Sequence, residues 1–121
     1  MIDQKKRAEV FADFLEFCVK GLSIEEVPSI NFTDDTGWCK EYCTFGAFEP
    51  GTKEITVYIK NRNLADICRT LAHELVHKRQ HELGTLDSQS GETGSEIENE
   101  ANELAGVIMR SYGKNNPEIY E

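Results

Sequence analysis

The chain has 121 residues, 39% hydrophobic and 29% charged, with a formal net charge of −9 and a pI near 4.8. That length suits one domain with its own core, and the composition excludes wholesale disorder. So acidic a surface repels phosphate backbones and anionic lipid, which disfavours nucleic acid and membranes as partners.

No stretch approaches the roughly 18 to 20 apolar residues that cross a bilayer. After Lys5-Lys6-Arg7, the acids Glu9, Asp13 and Glu16 interrupt any apolar signal region. The expectation is therefore a cytoplasmic protein that stays where it is made. Its four cysteines, Cys18, Cys39, Cys43 and Cys68, are expected to be reduced.

The first segment, from about Asp3 to Lys20, carries Val10, Phe11, Phe14, Leu15, Phe17 and Cys18 at helical spacing. Asp3 is a suitable cap and Gly21 a suitable stop. From Pro28 to Lys60 the pattern changes to short strands. Ile30 and Phe32 alternate, Tyr42 to Phe48 is a mixed aromatic run, and Glu49-Pro50-Gly51-Thr52 reads as a turn. Glu54 to Lys60 then places Ile55, Val57 and Ile59 on one face. A small, largely antiparallel sheet of about three strands follows from this.

Asn63 reads as the cap of a helix that runs to Leu83 and stops at Gly84. Leu64, Ile67, Cys68, Leu71, Leu75 and Val76 form its apolar face. The stretch from Gly84 to Gly94 has loop composition. Ser95 caps a last helix through about Tyr112, and the tail from Gly113, with Pro117, is expected to be loosely held. The fold class is α+β in one domain: N-terminal helix, small sheet, central helix, loop and C-terminal helix.

The chemistry sits on the central helix as His73-Glu74-Leu75-Val76-His77. Histidines four apart lie one turn above each other on one helix face, so both rings can converge on one ion. Glu74 is rotated about 100° from His73, so it flanks that ion without having to bind it. A metal that acidifies water beside a carboxylate that takes the proton is what a metallohydrolase requires.

Zinc in catalytic sites usually takes a third protein ligand. His81 repeats the spacing, but it lies about 12 Å along the helix from His73, too far for one ion. A carboxylate must serve instead, and Glu96, Glu98 and Glu100 open the last helix. Glu98 is preferred because it borders the stripe Ile97, Ala101, Leu104 and Ala105; Glu96 is the reserve. Asn102, one turn after Glu98, can hold a metal-bound imidazole from outside.

The paired motifs His73-Glu74-Leu75-Val76-His77 and Glu98-Asn99-Glu100-Ala101-Asn102 resemble those of the gluzincin metallopeptidases. The likeness is greatest to their smallest members, the minigluzincins, and to the related ImmA/IrrE-type and phage-encoded peptidases. It spans Glu54 to about Ala105. It implies a zinc endopeptidase in which His73, His77 and Glu98 bind Zn²⁺, Glu74 is the general base, and Asn102 orients a ligand. It also implies a protein or peptide substrate. The resemblance does not identify the residue that steadies the oxyanion, for which Tyr58 and Tyr42 are candidates. The strand from Glu54 to Lys60 is the expected edge for an extended substrate. Two rivals come from other classes: a zinc-binding regulatory or interaction module without hydrolysis, and a plain structural domain with an exposed histidine pair.

Overall fold

The computed structural model describes residues 4–42, 44–85 and 96–120; the proposed caps Asp3 and Ser95 and the cysteine Cys43 lie outside them. Among the described residues the order is α1 (Gln4–Leu22), β1 (Ser29–Thr33), α2 (Thr36–Tyr42), β2 (Gly46–Glu49), β3 (Glu54–Tyr58), α3 (Leu64–Glu82) and α4 (Glu96–Asn115). A 3-10 turn, Pro117–Tyr120, follows. This is the α+β architecture expected from the sequence.

α1 buries Val10, Phe14, Cys18 and Leu22, one residue per turn along a single stripe. It runs past Gly21. The stop is Ser23, at φ 55°, where Ser23 N–H donates to Lys20 O and Ile24 N–H to Val19 O. That pair of bonds satisfies the last carbonyls of the helix, and Ile24 tucks into the core beside them.

The sheet corrects the expected pairing. Its order is β1-β3-β2, with β1 parallel and β2 antiparallel to β3, so it is mixed rather than largely antiparallel. β3 is therefore the central strand, and the expected substrate edge from Glu54 to Lys60 is already paired on both sides. The open edge nearest α3 belongs to β2. Ile55 and Val57 on β3 are fully buried, with Ile30, Phe48 and Ile59 packed around them. α2 also replaces part of the expected strand region: Asp35 accepts the Gly37 N–H at 2.9 Å and opens a helix too short to leave a period in the sequence. In the β2–β3 turn it is Lys53, at φ 60°, and not Gly51 that takes the left-handed conformation.

α3 is the central element and packs most extensively against α4, with β2, β3 and α1 also touching it. Asn63 caps it by accepting the Asp66 N–H at 2.9 Å, and Gly84 at φ 76° ends it, both as expected. Because neighbours surround α3, even Lys78 and Gln80 are 1% exposed. Lys78 Nζ reaches Glu82 Oε2 at 3.4 Å. The same carboxylate accepts the N–H groups of Glu25 at 3.0 Å and Glu26 at 2.9 Å, which pins the α1–β1 connection to the end of α3.

α4 continues to Asn115, beyond the expected Tyr112, and the tail is not loose. Ile119 is fully buried, and the Tyr120 ring lies so close to Gly113 that a Cβ there would meet it at 2.7 Å. Tyr112 ties α4 to α1 by donating to Asp13 Oδ2 at 2.6 Å and packing edge-on against Phe14. Cys18, Cys39 and Cys68 are free thiols. Burial pushes the Cys68 thiol up to about 12 and raises Cys18 as well, so both stay protonated and pack as small hydrophobes. Among the described residues, no helix is long and apolar enough to cross a membrane.

Candidate metal centre

His73 and His77 stand one turn apart on α3, with ring centroids 4.8 Å apart and ring planes 83° to each other. Their Nε2 atoms are separated by 3.2 Å. α4 brings the third donor: Ala101 and Ala105 are buried against α3, and such small side chains let the helices approach closely. Glu98, one turn before Ala101, then reaches both rings. Its Oε1 is 2.8 Å from His73 Nε2 and its Oε2 is 3.2 Å from His77 Nε2.

These separations suit one ion. Ligands about 2.0 to 2.1 Å from a tetrahedral metal are about 3.3 Å from one another. The Nε2–Nε2 distance of 3.2 Å lies just inside that edge length, while Glu98 approaches the two rings with different oxygens, at 2.8 and 3.2 Å. His73, His77 and Glu98 form a group of donors that can hold a metal ion. Their side chains keep 18%, 11% and 22% of their surface exposed, so one side of the triad faces solvent. Glu96, the reserve ligand, is exposed and does not join them. His81 turns instead to the ring of Phe48, 5.6 Å away.

The rings are held from outside. Asn102 hydrogen-bonds His73. Burial lowers the His73 pKa and the nearby His77 adds to this, while Glu98 pulls the other way, so a neutral ring is favoured. A neutral ring is the form that donates to a metal.

The partner of His77 was not foreseen. Gln80 Oε1 lies 2.8 Å from His77 Nδ1, while the amide nitrogen of Gln80 donates to Ile97 O at 3.0 Å and to Glu100 Oε1 at 2.9 Å. Two oxygen acceptors on that nitrogen fix the orientation of the amide. Its oxygen must then accept from His77, so the proton sits on Nδ1 and Nε2 presents its lone pair to the triad. Gln80 thus locks one ligand and also grips the turn of α4 that carries Glu98. Gln80→Leu should keep the fold yet weaken the binding of a divalent metal about 10- to 100-fold in a competition titration with a chromogenic chelator. An unchanged affinity would show that Gln80 does not position the ring.

Glu74 lies beside the triad and is 7% exposed. Burial, and then the charge of Glu98, push its carboxyl up to about 8, opposed by the Phe48 N–H that donates to it. Close approach of β2 produces this burial. A Cβ at Gly46 would meet Thr70 Cγ2 at 2.5 Å and Glu74 Oε2 at 3.3 Å, so only glycine fits without a shift. An isolated glycine within a strand was the sequence signal for this contact.

Thr44, Phe45, Gly46, Arg69, Thr70, His73, Glu74 and Asn102 line an open cleft of about 250 Å³. Tyr58 is not among them. Its hydroxyl sits 3.4 Å from Thr36 Oγ1 and its ring stacks on Phe45. Tyr42 closes α2, and its side chain lies outside the described residues. Comparison of the chain with protein-family models, curated proteins and solved structures finds no match.

Proposed function

We propose that this chain is a zinc-dependent peptidase whose metal is held by His73, His77 and Glu98. One observation carries the reading: a ligand atom from each of His73, His77 and Glu98 lies within 4.8 Å of the others, and His73 lines an open cleft together with the buried carboxylate of Glu74. Two imidazoles and one carboxylate suit zinc, and three ligands leave a position for water or substrate. The paired motifs of the gluzincins, quoted above, support the same assignment.

Zinc held by His73, His77 and Glu98 would supply a water acidic enough to react near neutral pH and would polarise the carbonyl under attack. A cation at the triad would favour the ionised form of Glu74, which could then take the proton from that water and return it to the departing amine. His77, fixed by Gln80, and His73, fixed by Asn102, keep their lone pairs aimed at one point. Among the described residues β2 pairs with β3 alone, but on its outer side Thr44 Oγ1 holds the Gly46 N–H and C=O and Glu74 holds the Phe48 N–H, so an extended peptide adding there would displace the Thr44 hydroxyl.

The test is cleavage of an unfolded protein by the purified chain after chelation and reloading. Activity should disappear with chelator and return with one equivalent of zinc. Zinc uptake without any cleavage would favour a silent metal-binding module and overturn the peptidase reading.

A further inference from the structure

The reaction described above uses His73, Glu74 and Asn102, but the cleft has another wall made of Thr44, Phe45, Arg69 and Thr70. Phe45 is 54% exposed, a large apolar face beside the catalytic carboxylate. It is not loose. Arg62 sits 4.5 Å over its ring on one side, and Tyr58 stacks against it with centroids 6.2 Å apart.

Two guanidinium groups occur here, and they differ in commitment. Arg62 donates to Tyr58 O at 2.9 Å, to Asp66 O at 3.1 Å and to Thr70 Oγ1 at 2.8 Å. It braces the wall and has little left to offer a ligand. Arg69 stands one turn before His73, on the same helix face, and is exposed. Among the described residues no carboxylate pairs with it. It is an uncommitted cation lining the cleft of a chain whose net charge is −9. An acidic peptide is repelled by most of such a surface, whereas a carboxylate beside Arg69 gains a planar, two-pronged partner.

We propose that the cleft selects peptides with an Asp or Glu within two residues of the cleaved bond and an apolar side chain against Phe45. This specificity rests on the peptidase reading given above. Arg69 acts as a selector of substrate and takes no part in the proton transfers. Because it is exposed, the preference should be moderate, about five- to tenfold over neutral residues, and should fade as salt is added.

The experiment digests a mixed-sequence peptide library with the zinc-loaded full chain and reads cleavage sites by mass spectrometry. Wild type should enrich Asp and Glu at one position near the cut, with aromatic or branched apolar residues nearby. Arg69→Glu should exchange that enrichment for Lys and Arg, and Arg69→Ala should flatten it. Should Arg69→Glu misfold, the salt dependence of the wild-type preference and the Arg69→Ala pattern decide the matter. Cleavage with no acidic preference, or one that survives Arg69→Glu, overturns this specificity alone. No cleavage by zinc-loaded wild type overturns the peptidase reading and this inference with it.

Discussion

Glu74→Gln should bind one zinc with unchanged affinity and lose about 10²- to 10⁴-fold in the rate of peptide hydrolysis. The glutamine is nearly isosteric, and its amide oxygen can still accept the Phe48 N–H that now reaches the carboxylate. It cannot take a proton from water. Glu74 is outside the donor group His73, His77 and Glu98, so the metal has no reason to leave. The loss should fall on kcat with KM little changed, because the group acts on the reacting atoms and not on the bound peptide. Folding should not suffer, since the change removes a buried ionisable group that is 7% exposed. A variant that hydrolyses peptides at the wild-type rate would remove Glu74 from its role.

The second large effect concerns stability. Glu82→Ala should destabilise the fold by roughly 1 to 3 kcal/mol, because it leaves the Lys78 ammonium without its partner. Lys78 is 1% exposed and its Nζ lies 3.4 Å from Glu82 Oε2. The same substitution removes the acceptor for the N–H groups of Glu25 and Glu26. Lys78→Met should be far milder, as a similar apolar volume replaces a charge that water never solvates well there. Combining the two should therefore cost less than Glu82→Ala alone, which equilibrium unfolding in urea measures directly. If Glu82→Ala unfolds within about 0.5 kcal/mol of wild type, the buried pair is not the clasp described here.

Both effects lie on α3, and they divide what could be read from the sequence from what could not. His73, Glu74 and His77 were legible because helical spacing alone sets their mutual geometry. Glu98 was legible one step further, because the buried stripe of α4 fixes which of its acids can face α3. Lys78 and Gln80 were not. In Lys78-Arg79-Gln80-His81 each residue type is at home on a solvated helix face. Their burial follows from packing on every side of α3, which no local pattern records. The substrate edge failed for a related reason. Alternation in Ile55, Val57 and Ile59 identifies a strand but not its neighbours, and β1 joins β3 in parallel after α2 and β2 intervene. At the C-terminus, Pro117 and the polar residues before it read as a free tail, while the buried Ile119 and the Tyr120 ring against Gly113 hold it.

The proposed chemistry requires that two rings on one helix and an acid from the next share a single metal ion. Zinc content and affinity, measured on wild type and on single alanine variants by elemental analysis and chelator competition, address this most directly. The account predicts one zinc per chain. Glu98→Ala should weaken it by more than the roughly 10- to 100-fold expected of an outer contact, and Glu96→Ala should leave it unaltered. A wild-type chain that retains no stoichiometric zinc, or a Glu98→Ala variant that holds it as tightly as wild type, would contradict the centre itself.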